Sequence, residues 1–315
     1  TEQGGVIPGA NPDSVSDRAK KRGLDQVGTL GSGNHYLEIQ KVDFDEQCDR
    51  SVASVFGIDR PGQITVMVHC GSRGFGHQIG TDYLQSFGPA MKKYGIHTND
   101  RELACAPFDS PEGKAYYEAM ACAANSAFVN RQVITHQVRE GFSRVFGKSA
   151  EELGMNLVYD VAHNIAKIET HDTDRGREKV IVHRKGATRA FGPGNAELPE
   201  KYRQVGQPVL VGGSMQTGSY ILVGTAMAKR LTFASTMHGA GRVMSRAAAT
   251  RKIRGQQLRD QMEKQGIIVR AASMRGLAEE AGFAYKNVDT VVNAVHNLGI
   301  SKKVAHLTPL ANVKG

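Results

Sequence analysis

The sequence predicts an α+β fold, a single compact domain in which mixed β-sheets are flanked by helices. Short β-branched segments are interspersed with helical segments in no regular order, and the longest helical segment has no strand close to it in the sequence. That arrangement argues against a regular βαβ array. The 315 residues contain no internal repeat, low-complexity tract or linker, so we assign residues 1–315 to one domain.

Six short segments predict buried strands, because Val and Ile dominate them and glycine or polar residues bound them. The first, QITVMVHC, ends at a histidine and a cysteine. The six segments are residues 63–70, 155–163, 179–185, 207–213, 219–225 and 266–272.

Four segments predict helices. The longest covers 110–147 and opens with Ser110 as N-cap, Pro111 at the first helical position and Glu112 in the first turn. A helix over 80–95 is interrupted by a Gly-Pro pair, and helices over 255–266 and 286–299 each close on a glycine.

Composition narrows the class of protein. Hydrophobic residues make up 40% and charged residues 23%, as in ordinary soluble globular proteins, and no apolar run reaches the roughly 20 residues of a membrane span. The four cysteines form no CxxC pair, so we expect a reduced, cytoplasmic protein without a signal peptide. A net charge of +9 favours a polyanionic partner such as nucleic acid. Net charge affects how fast and how readily such a partner associates, but it does not indicate which reaction is catalysed.

Three histidines stand among polar or glycine-rich residues, where strands are expected to end: His35 in GSGNHYLE, His69 in MVHCGSRG and His163 in YDVAHNIAK. Imidazole is a common ligand of Zn, Mn and Fe, and three imidazoles leave coordination positions open for a substrate. No HxH or HxxxH spacing links them, and any one of them taken alone is better explained as a hydrogen-bonded core histidine.

Glycine loops with an embedded basic residue suggest anion binding, because backbone N–H groups can close on a phosphate. Gly-Ser-Arg-Gly-Phe-Gly contains Arg73, and HGAGRVMSR contains His238, Arg242 and Arg246. Most such loops are only turns. A neutral imidazole at His238 is nevertheless a competent nucleophile toward phosphorus, and the residues alone therefore predict metal-assisted phosphoryl chemistry on an anionic substrate.

Seven ordered blocks resemble the RtcB-type RNA-splicing ligases, and they span the chain from about residue 11 to its end. The blocks are GTLGSGNHYLEIQ, VMVHCGSRGFGHQ, YDVAHNIAKIE, VHRKGATRAF, GQPVLVGGSM, HGAGRVMSR and the terminal KG. The resemblance implies an RtcB-like fold and an enzyme that joins an RNA 3′-phosphate or 2′,3′-cyclic phosphate to a 5′-hydroxyl end in tRNA splicing or RNA repair. It also implies GTP and Mn²⁺ as cofactors, with a guanylylated histidine as intermediate and an archease-type activator as partner.

The resemblance assigns roles residue by residue. His238 would carry the guanylate, and His35, His69 and His163 would bind one or two manganese ions. Asn34 would contact the GTP phosphates. The remaining roles are implied for guanine contacts (Glu38, Ser219, Tyr285, Lys314), for the lining of the nucleotide pocket (Ser214, Ala240, Gly241) and for contacts with phosphate or the RNA backbone (Arg73, Arg242, Arg246). Lys185 and Arg189 would either meet RNA phosphates or lie on a solvated turn.

One part of the family pattern has no counterpart in this sequence. The family carries an upstream Asp-x-Gly-Cys-Gly-type motif whose Asp and Cys bind manganese, and the chain begins with Thr1. We therefore expect the chain to correspond to the C-terminal two thirds of the family domain, with the missing segment supplied by another chain or the fragment inactive. Cys70 is not expected to replace the missing thiolate, because it neighbours His69 on a strand and points to the opposite face.

Two other functions fit the same residues. A metal-dependent RNA phosphoesterase would use the three histidines to activate water. A non-catalytic RNA-binding subunit would need only the basic surface, and its RNA affinity would fall steeply with salt.

Overall fold

The structure is a computed structural model that describes the backbone of residues 1–315 and every side chain except that of Arg101. Contacts divide the chain into two compact units. The first contains residues 1–2, 30–69 and 156–315, and the second contains residues 3–29 and 70–155. The predicted α+β class, with mixed sheets flanked by helices, is confirmed, while the assignment of residues 1–315 to one ligase domain stays a prediction.

The first unit contains the described strands. They are β1 (Tyr36–Asp43), β2 (Ile64–His69), β3 (Asn164–Thr173), β4 (Gly176–Lys185), β5 (Ala187–Arg189), β6 (Pro208–Gly212), β7 (Ser219–Gly224), β8 (Ser235–Met237), β9 (Ile268–Ala271) and β10 (Ser301–Lys314). Six of them form a central sheet in the order β2-β1-β10-β7-β6, with β9 pairing in parallel with β10 and every other pair antiparallel. β3 pairs with β4, and β5 pairs with β8.

Helices of the first unit flank this sheet. They are α2 (Arg50–Phe56), α5 (Ala226–Thr232), α6 (Arg246–Lys252), α7 (Gly255–Lys264), α8 (Met274–Glu279) and α9 (Val288–Asn297). Alternate residues of β7 point to opposite faces. Ile221 packs into a cluster with Phe56 of α2, whereas Leu222 packs into a cluster with Val292 of α9. The central sheet is therefore buried on both faces, which gives the residues at its edges a rigid support.

The second unit is helical, with α1 (Asp17–Gly23), α3 (Arg73–Lys93) and α4 (Pro111–Phe146). The start of α4 confirms the sequence signals, since the Ser110 hydroxyl accepts from the N–H of Gly113 and Pro111 is the first helical residue. The helix ends at Gly147 in the left-handed conformation, with φ of 65°, which glycine adopts without steric cost. None of the helices in the described part of the chain is long and apolar enough to cross a membrane.

The predicted strand over 155–163 is wrong, and β3 begins only at Asn164. Its backbone groups find partners other than a neighbouring strand. The carbonyl of Asp160 accepts from the N–H of Glu2 at 2.8 Å, the N–H of Ala162 donates to the Glu2 carboxylate at 2.9 Å, and the Val158 carbonyl accepts from the hydroxyl of Tyr202 at 2.6 Å. Hydrogen bonds to one backbone N–H and to two side chains thus hold these residues in an irregular segment.

The predicted interruption at Gly88-Pro89 is also wrong, because α3 runs through both residues. Proline removes one helical hydrogen bond. Gly88, Pro89 and Gln85 are exposed, so water can bond the carbonyl that loses its partner. β1, β3 and the 14-residue β10 were not predicted, since charged and polar residues interrupt their apolar pattern.

Candidate active site

One cavity in the first unit gathers all but three of the predicted site residues. Tyr36, Met215, Glu280 and Asn312, which sequence reasoning missed, also line it. The predicted residues on its wall are Asn34, Glu38, His69, Ser214, Ser219, His238, Ala240, Gly241, Arg242, Arg246, Tyr285 and Lys314. His35, His163 and Arg73 are outside this lining.

Glu38 is a buried carboxylate on the central sheet. Its residue is 2% exposed, and both oxygens accept hydrogen bonds, Oε1 from Gln40 Nε2 at 2.6 Å and Oε2 from Asn312 Nδ2 at 2.7 Å. Burial raises the pKa of Glu38 to about 7, against the opposing effects of the two amides and of Lys314. A carboxylate with free lone pairs on a cavity wall can accept from N–H groups of a ligand.

The amine of Lys314, the residue just before Gly315, is a second buried ionisable group of the cavity. Lys314 ends β10, is 6% exposed and donates from Nζ to the carbonyl of Gly33 at 2.6 Å. Burial lowers the pKa of Lys314 to about 8, although Glu280 and Glu38 raise it. The frayed tail that its position in the sequence would suggest does not form, because strand pairing holds it.

Glu280 is a buried carboxylate that joins three predicted site residues. It is 2% exposed and accepts from Arg242 at 3.1 Å, from Arg246 at 2.9 Å and from the hydroxyl of Tyr285. Burial would raise the pKa of Glu280, but the Tyr285 hydroxyl, Lys314 and the two arginines outweigh it and leave that pKa lowered. Burial and this neighbour raise the pKa of Tyr285 above its usual range.

The guanidinium of Arg242 is held largely by the protein itself. Besides Glu280 it donates to the Tyr285 hydroxyl at 3.2 Å, to the Glu279 carbonyl at 2.7 Å and to the Met244 carbonyl at 3.1 Å. Arg246 donates to Glu280, and its side chain is 46% exposed. Of the two arginines, Arg246 is therefore better placed to meet a phosphate, a role that stays a prediction for both.

His238 lies just after β8 in a loop pinned to the end of β6. The N–H of Gly212 donates to the His238 carbonyl at 3.0 Å, and the N–H of Ala240 donates to the Gly212 carbonyl at 2.9 Å. A Cβ at Gly239 would stand 2.9 Å from the Gly212 oxygen, so glycine is needed for this close approach. Gly241 follows with a φ of 74°, a conformation that glycine adopts freely.

Four imidazoles meet beside this loop. His163 stacks on His238 with ring centroids 4.2 Å apart and planes inclined by 11°. The centroid of His69 lies 4.9 Å from His163, 5.7 Å from His35 and 6.2 Å from His238. Burial, followed by the three neighbouring imidazoles, holds the pKa of His69 well below its usual value. Burial likewise lowers the pKa of His238, which favours the neutral nucleophilic form.

Two of these rings present nitrogens to a common point. The Nε2 atoms of His69 and His163 are 3.4 Å apart, and two nitrogens that bind one cation at about 2.1 Å with angles between 90° and 110° stand about 3.0–3.4 Å apart. The fit extends to this pair only. Among the described residues, no three His, Cys, Asp or Glu side chains are already placed as ligands of one ion.

Only His69 ends a strand, as the last residue of β2, whereas His35 and His163 directly precede β1 and β3. The expectation that all three emerge where strands end is therefore wrong. Their convergence instead comes from the antiparallel pairing of β1 and β2, which sets Tyr36 opposite His69, and from the irregular segment before β3. The N–H of Gly186 fixes that segment by donating to the His163 carbonyl at 3.1 Å.

The two serines and Asn34 take distinct positions on the wall. Ser214 forms a turn in which its hydroxyl and that of Thr217 are 2.9 Å apart. Ser219 begins β7, is 2% exposed and pairs with Leu307 of β10. Asn34 lies in the loop before β1. The cavity contains each of these residues, and their roles stay predictions.

Arg73 belongs to the second unit, where it begins α3 and its Nε donates to the Thr29 hydroxyl at 3.1 Å. In the same unit Cys70 is 4% exposed, and its sulfur accepts from Asn130 Nδ2 at 3.2 Å. Arg189 is fully buried beside Glu2 and Glu197, so the suggestions that it meets RNA phosphates or lies on a solvated turn are both wrong.

The family described as "tRNA-splicing ligase RtcB" matches residues 1–315. The chain belongs to the RtcB family. A tRNA-splicing ligase RtcB of Archaeoglobus fulgidus is 58% identical over 314 residues, which are 100% of this chain and 64% of that relative. The proteins of the same name from Pyrococcus furiosus and Thermococcus kodakarensis are 57% and 54% identical over 100% of this chain, and the chain covers 32% and 64% of their lengths. The chain thus spans less than two thirds of the RtcB relatives it matches.

Proposed function

We propose that this chain carries the nucleotide-binding chemistry of a GTP- and Mn²⁺-dependent RNA ligase that joins 3′-phosphate or 2′,3′-cyclic phosphate ends to 5′-hydroxyl ends, as in tRNA splicing. One observation carries the proposal. His238, a buried carboxylate at Glu38 and a buried amine at Lys314 line the same cavity of an RtcB-family chain. Such a set combines a nucleophile with partners for the base and the phosphates of a nucleotide.

In the first step the His238 imidazole attacks the α-phosphorus of GTP. A P–N bond forms, the bond to the β-phosphate oxygen breaks, and pyrophosphate leaves with its electron pair. An oxygen of the RNA 3′-phosphate then attacks the same phosphorus and frees His238. Finally the 5′-hydroxyl attacks the activated RNA phosphate, loses its proton and expels GMP, while a cyclic end must first take up water to give a 3′-phosphate.

The base is recognised at the sheet. Guanine presents N1–H and a 2-amino group, and both can donate to the Glu38 carboxylate, which the sheet and two amides hold in place. Adenine offers an acceptor at N1, so it would leave the carboxylate unpaired, and an unpaired buried polar group discriminates strongly. Tyr285 and Ser219 also line the cavity.

The phosphates would extend toward Asn34, Arg246 and the glycine loop that carries His238. His69 and His163 are the pair of this chain that fits a divalent cation, with His35 the adjacent imidazole. A bound manganese ion would supply Lewis-acid stabilisation of the charge on the transferring phosphoryl group. The stacked ring of His163 would also limit the rotation of His238, so that its lone pair stays directed at one place.

The test is transfer of label from [α-³²P]GTP to the protein with Mn²⁺, on this chain and on a longer chain that includes the family's Asp and Cys segment. We expect an acid-labile, alkali-stable adduct that disappears in His238→Ala. His183→Ala is the matched control, because His183 is an exposed histidine of β4, and it should keep the label.

Three results would overturn the proposal. Undiminished label in His238→Ala would remove that residue from the reaction. Release of RNA phosphate without GTP, in a chain that never takes up label, would show a phosphoesterase instead. Salt-sensitive RNA binding that depends on neither GTP nor Mn²⁺ would show a non-catalytic subunit.

A further inference from the structure

Asn312 holds an unused hydrogen-bond acceptor at the cavity. It lies on β10 directly opposite Glu38 of β1, it lines the cavity, and it is 1% exposed. Its Nδ2 donates to Glu38 Oε2 at 2.7 Å. Its Oδ1 is buried and has no hydrogen-bond partner among the described residues.

The orientation of this amide follows from its neighbour. An ionised carboxylate only accepts hydrogen bonds, so the NH₂ group of the amide, and not its oxygen, must contact Glu38. Gln40 offers a comparison on the other carboxylate oxygen. Its Nε2 donates to Glu38 Oε1 at 2.6 Å, and its own oxygen accepts from the Thr65 hydroxyl at 3.5 Å. Of the two amides that hold Glu38, only that of Asn312 keeps an acceptor without a partner.

A buried acceptor in a native protein normally has a donor, from the protein, a water or a ligand. The donor must reach a point beside Glu38 Oε2, because the carboxylate and the free oxygen flank the same NH₂ group. Guanine carries three N–H donors on one edge, one at N1 and two on the 2-amino group. A carboxylate that accepts N1–H and one amino hydrogen leaves the second amino hydrogen close to Oε2, where an acceptor is needed.

We propose that Asn312 Oδ1 accepts the second hydrogen of the guanine 2-amino group, which makes Asn312 a specificity residue of the nucleotide site. The inference rests on the proposed function and deepens it. Glu38 distinguishes guanine from adenine, whereas Asn312 adds selection against a purine that keeps the 6-oxo group and N1–H but lacks the amine, such as hypoxanthine.

The test is equilibrium binding of GMP and IMP at pH 8, since these nucleotides differ only in the 2-amino group and have no pyrophosphate to release. Asn312→Leu removes the amide and keeps the same number and branching of side-chain heavy atoms. Gln40→Met is the matched control, because it removes the other hydrogen bond to Glu38 but no free acceptor. Both variants should bind GMP more weakly than the wild-type chain, and thermal melts report whether they fold.

The decisive quantity is the preference for GMP over IMP. We expect Asn312→Leu to lower it by between about 2-fold and about 10-fold, the effect of one neutral hydrogen bond, and Gln40→Met to leave it unchanged. An equal preference in wild type and a folded Asn312→Leu would overturn the inference while leaving the nucleotide site standing. Absence of GMP binding to the wild-type chain would overturn the proposed function and this inference with it. If Asn312→Leu does not fold, Asn312→Ser, which is smaller and polar, is measured in its place.

Discussion

The proton equilibrium of Glu38 should set the pH dependence of nucleotide affinity. The pKa of Glu38 is raised to about 7 by burial, and the proposed guanine contact requires its ionised form, because that form alone accepts from both N1–H and the amine. Two charged or titratable groups face it, Lys314 with a pKa of about 8 and Tyr36 with a pKa above its usual range. Affinity for GTP should therefore rise as pH increases through 7 and fall above 8, where Lys314 loses its charge.

The magnitude follows from the ionised fraction. At pH 7 half of the Glu38 carboxyls are ionised, and at pH 6 about one tenth are, so affinity for GTP at pH 6 should be about 5-fold lower than at pH 7.

The raised pKa of Glu38 also makes the stability of the folded chain depend on pH. An acid with a folded-state pKa of about 7 and an unfolded one near 4.5 binds its proton more tightly when folded. Stability contributed by that proton is present below pH 4.5 and is lost as pH rises to 7, by about 3 kcal/mol.

The assay is isothermal titration calorimetry of GTP with wild type and Glu38→Gln from pH 5.5 to 8.5. Protonation of the GTP phosphates affects binding to both proteins equally. The ratio of their dissociation constants therefore reports the ionisation of Glu38 alone. This ratio, variant over wild type, should fall about 5-fold from pH 7 to pH 6. A ratio that stays constant between pH 6 and pH 8 would refute the argument that an ionisable Glu38 receives the base.

Two further predictions concern the cavity wall. Glu280→Gln should lower the free energy of unfolding by about 2–3 kcal/mol in urea titrations, less than a fully buried ion pair because its two arginine partners are partly exposed. The side chain of Glu279 pairs with the exposed Arg275, so Glu279→Gln should change stability by less than about 0.5 kcal/mol, and equal losses would contradict the role of burial. Gly239→Ala should abolish protein labelling by GTP, since its Cβ would stand 2.9 Å from a backbone oxygen. Gly141→Ala, in a helix with nothing within 4 Å, should retain labelling and melt at the same or a higher temperature.

Sequence patterns correctly predicted several helices, whose backbone hydrogen bonds are local, and several strands whose apolar pattern is unbroken. The capping signals at Ser110 and Pro111 placed the start of α4 correctly. β10 escaped prediction because lysines, a histidine and Pro309 interrupt it. A register shift at Ile39/Gln40, opposite Pro309, accommodates the missing N–H of the proline, and no local pattern announces such a compensation.

Some residues of the candidate site could likewise be predicted from the sequence, and others could not. Family blocks drew attention to His238 and Lys314, and the structure gathers them at one cavity. Glu280 stands in a helical stretch of Glu and Ala whose composition is typical of an exposed surface, and only tertiary packing buries it. Asn312 is a polar residue in an undetected strand. Both residues act through neighbours more than 30 positions away in sequence, and such pairings are set by the fold rather than by any local pattern.

The register of β1 against β10 separates two tasks of the site. Glu38 and Asn312 face each other on hydrogen-bonded strands of a sheet buried on both faces, whereas His238 sits in a glycine loop. Under the proposed function, substitutions on the strands can therefore change which purine is accepted while His238 keeps its place. Under that function, the strand pair is the natural starting point for a library aimed at a ligase that consumes an altered nucleotide.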